Sequence, residues 1–340
     1  MPAKETLKPI LALILGITIF TAMLFYFGIE EVVAAFAKAS PEMLLFFVLT
    51  SFIFYFLRAL RWKVILLPIK NPVKTSNLFW ATMVGYFVNS LIPIRVGELT
   101  RAFLIDRAEQ TGFSKTLSSI AIERLLDLIA VATLGIIALY WVSISLPIPE
   151  IATNILKLVA ALILAALIIL LAALKFKEKI LNLLAAILAK LPIKQRWKDK
   201  SVGFLESLVE GAKIIVSRPK LMAASMLLSW AVWLSGFLTL YAVFKAFSLE
   251  AELPVLLLGY ILLMITFIAP AAPGYVGSFE AFWLLIFLAL GLAGSSLLLA
   301  TAIAYHALTL LFIAATGSLG LTIMGISLSE AIKVERPSLN

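Results

Sequence analysis

Cysteine is absent from all 340 residues, and histidine occurs once, at His306. The first absence excludes disulfides, thiolate catalysis and cysteine–metal sites. The second excludes the HExxH zinc motif and any multi-histidine centre. No GxxxxGK[ST] loop is present, so motion driven by a nucleotide bound in such a loop is not an activity of this chain. Charge is scarce as well, at 14% of residues, too little to cover the surface of a soluble domain of this length. Internal repeats and low-complexity linkers are lacking, which excludes solenoids.

The rest of the sequence is largely apolar. Hydrophobic residues make up 63% of the chain and the mean hydropathy is +1.09. They come in runs of about 20, long enough to cross ~30 Å of hydrocarbon as helices. Backbone polar groups inside lipid must be bonded within their own segment, so such runs are helical. The sequence therefore predicts an all-α, polytopic helical membrane protein of about seven to nine membrane segments. The candidate spans are 9–28, 42–60, 76–93, 122–145, 151–174, 220–244, 254–270, 277–293 and 297–325. The first follows Lys4 and Lys8 and is too long for a signal-peptide core. Despite an Ala-x-Ala pattern at Ala35–Ala37, it reads as a retained helix.

Loop charge orients the spans. The stretch 175–219, with Lys220 beside it, carries eleven basic residues against Glu178, Asp199, Glu206 and Glu210, a net of +7. That places it in the cytoplasm, where its apolar periodicity predicts amphipathic helices against anionic headgroups. Arg58, Arg61, Lys63, Lys70 and Lys74 make the loop after the second span cytoplasmic too, while Ser143–Glu150 has no basic residue and reads as external. Simple alternation then fails: both ends of 76–93 fall on the same side. A re-entrant segment near 76–105, turning at Pro93, resolves the conflict. Hence residues 1–174 form a first membrane half, 175–219 a linker, 220–326 a second half broken near 270–278, and 327–340 a tail. Both termini are expected in the cytoplasm, with the protein in the cell membrane.

The two interrupted segments resemble each other. Pro93-Ile-Arg95-Val-Gly97-Glu98 can be set beside Pro273-Gly274-Tyr-Val-Gly277-Ser-Phe-Glu280. In each, Pro is followed four residues later by Gly, then by Glu and an Ala-Phe pair. Paired breaks in the two halves of a transporter, an inverted repeat, mark helix ends that face a ligand near the midplane. Two independent kinks that ease packing are the plainer alternative.

Charges inside apolar segments cost a few kcal/mol each and usually face a partner or a cavity. Arg95, Glu98 and Arg101 are three apart and share a helical face, so they are expected to pair. Glu123, Arg124 and Asp127 open the span 122–145, where the plainer reading is a headgroup boundary. Glu280 follows the second break, and His306, within an apolar run, is read first as a packed, hydrogen-bonded histidine. Arg58 and Arg61, beside Trp62, read as an interfacial anchor by snorkelling. Arginine grips phosphate bidentately and helix N-termini add a favourable dipole, which suits an anionic headgroup. On this reading the substrate-binding set is Asn89, Arg95, Glu98, Arg101, Glu123, Arg124, Asp127, Pro273, Gly274, Gly277, Glu280 and His306. No metal or cofactor site and no nucleophile–base pair is found.

Several elements occur in order: Arg58-x-x-Arg61-Trp62, Asn89-x-x-x-Pro93-x-Arg95-x-Gly97-Glu98-x-x-Arg101, Ile122-Glu123-Arg124-x-x-Asp127, Pro270-x-x-Pro273-Gly274-x-x-Gly277-x-x-Glu280, and His306. On these residues the chain resembles the transmembrane region of lysylphosphatidylglycerol synthases and related stand-alone membrane proteins. The resemblance implies a lipid flippase module. In the synthases a soluble aminoacyl-transfer domain follows; here the sequence stops at Asn340, so lysyl transfer by this chain is not expected. The lipid itself does not carry over from the synthases; the leading expectation is a flippase- or scramblase-like carrier of an anionic phospholipid or a polyprenyl-phosphate lipid. Arg95 and Arg101 would hold phosphate, and Glu98 and Glu280 would act as gating or proton-coupling groups. A scaffold presenting lipid to a separate transferase is the alternative, and a lipid-headgroup enzyme a third. The expected partners are an anionic lipid and the membrane, not nucleic acid; a partner transferase and a homodimer both stay open.

A single cysteine placed at position 110 should react with an impermeant maleimide only from the cytoplasmic side. Labelling from outside would overturn the re-entrant first half.

Overall fold

A computed structural model describes residues 17–26, 28–92, 96–145, 217–267, 272–292 and 294–333, with isolated helical positions between 154 and 206. The regular elements among them are helical. They are α1 (Ile17–Tyr26), α2 (Ile29–Ala37), α3 (Pro41–Leu66), α4 (Thr75–Leu91), α5 (Gly97–Glu109), α6 (Phe113–Ser145), α7 (Pro219–Ala246), α8 (Leu253–Thr266), a 3₁₀ turn at Pro273–Tyr275, α9 (Ser278–Ala289), α10 (Ser295–Met324) and α11 (Leu328–Ile332). Of these, α3, α6, α7 and α10 are long and apolar enough to span a bilayer. The chain is thus an all-α, multi-pass membrane protein.

Local chemistry explains where the elements differ from expectation. Helix α6 begins at Phe113, more than two turns before the expected start at 122. In its polar first turns Ser118 Oγ donates to the Ser114 carbonyl and Ser119 Oγ to the Thr116 carbonyl, so these hydroxyls are satisfied within the helix. Hydroxyls that bond back in this way are solvated by the helix itself. The described helix of the first expected span, 9–28, is α1, which ends at Tyr26. At Gly28 (φ +87°) the chain bends by 85° into α2, an element hydropathy did not separate. The tail starts as a capped helix: Ala331 is buried and its carbonyl accepts from Thr100 Oγ1 at 2.7 Å, tying α11 to α5. Expectations for 151–174 and the linker 175–219 lie outside the described residues, as do Pro93, Arg95 and Pro270.

Four helices form two antiparallel hairpins. In the first, α4 and α5 fold back on each other. Their open ends are joined where Lys74 N–H and Asn77 Nδ2 donate to Glu109 Oε1, at 3.1 and 2.7 Å. Midway, Gly85 and Gly97 let the backbones touch; a Cβ on Gly97 would strike the Gly85 carbonyl oxygen and the Asn89 side chain. In the second hairpin, α8 and α9 run side by side. Phe267 meets Phe279 at 6.0 Å near the turn, while Val255 and Leu290, at the open ends, line one surface hollow.

Helix α10 is the spine shared by both. Its first half packs on α9 through an aromatic cluster in which Tyr305 lies 5.4 Å from Trp283 and 5.8 Å from Phe279. Its second half packs on α4, where Gly317 and Gly320 make room for Phe87 and Val84. The hairpins therefore lie end to end along α10, their turns meeting near its middle. There a Cβ on Gly274 would stand 3.8 Å from the Ser90 carbonyl oxygen and 3.9 Å from Leu310. On the other side, α3 and α7 pack antiparallel, joined at one end by Ser40 N–H donating to the Ala246 carbonyl at 2.8 Å.

Gly97→Ala should force the two arms of the first hairpin apart and destabilise the protein by about 1–3 kcal/mol, read as a lower unfolding midpoint in a mixed-micelle denaturant titration.

Candidate functional site

Two buried polar groupings flank the meeting point of the hairpins. The larger is an ion cluster drawn from three helices. Arg58 and Arg61 come from α3, Arg101 from α5, and Glu123, Arg124 and Asp127 from α6. Arg61 Nη1 lies 2.6 Å from Asp127 Oδ1, and its Nη2 lies 3.3 Å from Glu123 Oε1. Arg101 grips Glu123 with both terminal nitrogens, at 3.3 and 2.9 Å. Arg124 reaches Glu123 at 2.7 Å and Asp127 at 3.3 Å. Arg58 Nη1 is farther from both carboxylates, at 3.6 and 3.5 Å.

The charge does not balance. Four guanidiniums bond two carboxylates, and arginine does not shed its proton in proteins, so two positive charges remain in excess within the bonded set, with Glu98 on Asn89 the next carboxylate nearby. Burial is nearly complete: Glu123 and Arg61 are 0% exposed, and only the Arg124 side chain, at 34%, reaches a surface. Removing such charges from water costs several kcal/mol per ion. Aromatic faces offset part of that cost. Arg58 sits 4.6 Å from the Phe54 ring centre and 5.6 Å from those of Tyr86 and Trp233, and Arg101 sits 4.3 Å from Trp62. Neutral donors complete the shell. Trp233 Nε1 donates to Asp127 Oδ1 at 3.0 Å, and Trp62 Nε1 donates to Ser119 Oγ at 2.8 Å, fixing the indole under Arg101. Several guanidinium N–H groups, among them Nε of Arg58, Arg61, Arg101 and Arg124, are buried with no acceptor. Buried donors without acceptors mark a place where an anion would be welcome.

Next to the cluster, Asn89 organises the first break. Its Oδ1 accepts from Gly97 N–H at 2.7 Å, and its Nδ2 donates to Glu98 Oε2 at 3.1 Å. The expected Glu98–Arg101 pair is not formed, because Arg101 turns to the nearer, doubly bonded carboxylate of Glu123 while Glu98 is held by Asn89.

The smaller grouping lies at the second break. Gly274 (φ +64°), Tyr275 (φ +59°) and Gly277 (φ +76°) give the turn a left-handed path, which glycine takes without penalty and tyrosine does not. Pro273 opens the turn. Glu280 Oε2 accepts from Gly277 N–H at 2.8 Å, and Glu280 Oε1 lies 2.6 Å from His306 Nδ1. On the other side of the ring, His306 Nε2–H donates to the Gly274 carbonyl at 2.6 Å. The histidine is packed and hydrogen-bonded on both nitrogens. Among the described residues no three acidic or histidine side chains are placed to hold a metal.

The predicted residues thus fall into two groups. Arg101, Glu123, Arg124 and Asp127 meet, with Asn89 and Glu98 beside them; Pro273, Gly274, Gly277, Glu280 and His306 meet separately. Arg58 and Arg61 correct an expectation: they are 3% and 0% exposed, not interfacial snorkels. Two signals were available. Ser51, Tyr55, Arg58 and Trp62 recur at three- and four-residue spacing, all buried, and Ser225, Ser229 and Trp233 do the same on α7. Ser229 Oγ, which no motif singled out, accepts from Arg61 Nη1 at 3.0 Å. Glu123 and Arg124 lie more than two turns inside α6, not at its first turn.

Comparison with known proteins gives the family. The family model described as the lysylphosphatidylglycerol synthase TM region matches residues 13–317. A UPF0104 membrane protein of Pyrococcus horikoshii is 27% identical over 299 residues, covering 84% of this chain and 88% of that one. A UPF0104 membrane protein of Methanothermobacter thermautotrophicus is 22% identical, covering 96% and 98%. The glycosyltransferase AglD of Haloferax volcanii is 21% identical, covering 94% of this chain but 55% of the relative. No solved structure matches.

Glu123→Gln should leave four guanidiniums with one carboxylate and cost about 3–5 kcal/mol in unfolding free energy, whereas the part-exposed Arg124→Gln should cost about 1 kcal/mol or less. Denaturant titration of the two purified variants checks the contrast.

Proposed function

We propose, from the fact that the chain belongs to the lysylphosphatidylglycerol synthase transmembrane-region family, that it carries an anionic lipid between leaflets in the manner of a flippase or scramblase. The observation that supports this most strongly is the buried cluster with two unmatched positive charges, set against the junction of two helical hairpins. A lipid phosphate, on a phospholipid or a polyprenyl phosphate, would supply the missing anion. Arg124 is the natural first contact, being the one cluster arginine that reaches a surface. Arg58, Arg61 and Arg101 offer further donors deeper in, and exchange of guanidinium partners between carboxylates and phosphate lets a headgroup pass without an unpaired intermediate. Arg95 would add to this from the first break.

The re-entrant reading of 76–105 draws support from the closed antiparallel hairpin, whose two open ends meet at Glu109. The end-to-end placement of the second hairpin on α10 favours an inverted arrangement of the two halves. Broken backbone of this kind at membrane depth is tolerated where it is buried in protein or lines a cavity.

One observation favours a second reading. The chain aligns with just over half of a protein named a glycosyltransferase, as expected of a module that presents lipid to a transferase supplied separately.

In vesicles containing the purified protein alone, leaflet exchange of a fluorescent phosphatidylglycerol should slow about tenfold in Arg124→Gln, the loss of one charge-assisted bond of ~1.4 kcal/mol. Exchange that appears only when a transferase is added would support the second reading, and exchange unaffected by the substitution would remove the arginine cluster from the path.

A further inference from the structure

Between positions 253 and 329 the sequence contains no aspartate, lysine or arginine, one glutamate and one histidine. These two residues come from different helices, 26 positions apart, and meet at 2.6 Å. Both are buried, Glu280 at 3% and His306 at 8% exposure. Within that stretch, their contact is the one acid–base pair available to hold or release a proton.

Counting hydrogens fixes what the pair contains. A carbonyl oxygen only accepts, so the hydrogen bond to Gly274 requires a proton on His306 Nε2. On the opposite side Nδ1 faces a carboxylate oxygen, and two lone pairs at that separation repel, so one further proton lies between them. Whether it sits on Nδ1 or on Oε1, the pair is neutral and holds that proton between the two residues. Now remove it. A single ring proton remains for two acceptors. The carboxylate, carrying full charge, attracts the N–H more strongly than the carbonyl does, so the proton moves to Nδ1 and Nε2 turns a lone pair toward the Gly274 oxygen. The turn loses its anchor.

The turn is suited to respond. Its Gly274–Tyr275–Gly277 path is left-handed, with tyrosine in a conformation that L-residues avoid, and such backbone persists only while its surroundings hold it. Four other bonds hold it: Tyr275 Oη–H donates to the Phe267 carbonyl at 3.2 Å, Tyr275 N–H to the Ala272 carbonyl at 2.8 Å, Ser278 Oγ to the Tyr275 carbonyl at 2.9 Å, and Gly277 N–H to Glu280. Gly274 also abuts the Ser90 carbonyl at the end of α4, so release of the turn reaches the first hairpin directly.

Other ionisable groups on the surrounding elements have partners of their own or lie apart. The tyrosines are Tyr275 of the turn, Tyr305 of α10, whose hydroxyl meets Thr239, and Tyr260 of α8, with Tyr86 on α4 and Tyr55 on α3 beside Phe312. Arg58 and Arg61 of α3 are engaged in the ion cluster, Glu30 and Glu31 of α2 are exposed, and Lys245 at the end of α7 lies over Tyr241. None of them bonds Glu280 or His306.

We propose that Glu280 and His306 form a one-proton binding site that latches the Pro273–Tyr275 turn to α10, and that loss of the proton unlatches it. Resting on the carrier reading above, this makes lipid movement proton-linked, with the latch as the coupling step.

The single histidine makes the site directly observable. In protein labelled with ¹⁵N-histidine and ¹³C-glycine and held in phosphatidylglycerol-containing bilayers, solid-state NMR gives one pair of ring nitrogens. The expected result is a protonated Nε2 at low pH, bonded to the Gly274 carbonyl. As pH rises, one titration should shift Nδ1, Nε2 and the Gly274 carbonyl together. Glu280→Gln, whose amide donates permanently to Nδ1, should keep the Nε2–H bond and abolish the titration. A ring that never titrates in the wild type, an unprotonated Nε2 in the low-pH form, or a Gly274 carbonyl signal indifferent to the titration would each overturn the proposal. Leaflet exchange measured on the same samples separates the two ideas: an intact titration in a protein that moves no lipid supports the proton site and removes the carrier reading.

Discussion

Two carboxylates on one helix gather four arginines, three of them held away from water, and most of the architecture in the first half follows from that requirement. Glu123 and Asp127 are one turn apart on α6, so they present a short double row of oxygens. Arginines from α3 and α5 converge on it, joined by Arg124 of α6 itself, and α7 adds Ser229 and Trp233 to fill what remains of the shell. None of these helices can shift by a turn without stranding a buried charge, which costs several kcal/mol. The cluster therefore sets the register of four helices more firmly than apolar contact alone could, since lipid tails compete equally for apolar surface.

The second half is built on the opposite principle. Its core is an aromatic assembly, Phe244, Phe279, Trp283, Phe287 and Tyr305, in which ring centres lie about 5–6 Å apart. Its buried polar contacts are few: the Glu280–His306 pair at the turn between α8 and α9, and hydroxyl contacts such as that of Thr239 with Tyr305. A half registered by charge thus faces a half registered by ring packing. If the proposed latch operates, such a pairing confines the change to one seam.

The class of the fold was legible throughout, because long apolar runs have few other meanings. The long helices α3, α7 and α10 were placed within a few residues, as were the breaks at Gly97 and Gly274, where proline and glycine punctuate the pattern. Elsewhere hydropathy misled for physical reasons. The start of α6 is polar only until its serines and threonines bond back to the helix. Arg58 and Arg61 look interfacial from the sequence because their partners are 62 to 69 positions away. Charge compensation at that range leaves no local trace. Of the site, the acidic and arginine members and the histidine could be named from isolated charges in apolar surroundings, but which of them pair could not. Glu98 and Arg101 share a helical face and still choose different partners, Asn89 and Glu123.

Helix α10 touches both hairpins, α9 on its first half and α4 on its second, with the two turns meeting between. A rigid rod gripped on either side of its middle behaves as a lever. In the carrier proposed above, tilting it would press one hairpin inward as it draws the other away, so that widening at one end of the bundle and narrowing at the other become a single motion. Two doors hung on one beam cannot stand open together, and a path between leaflets that obeys this rule would pass one headgroup at a time without leaving a leak for ions.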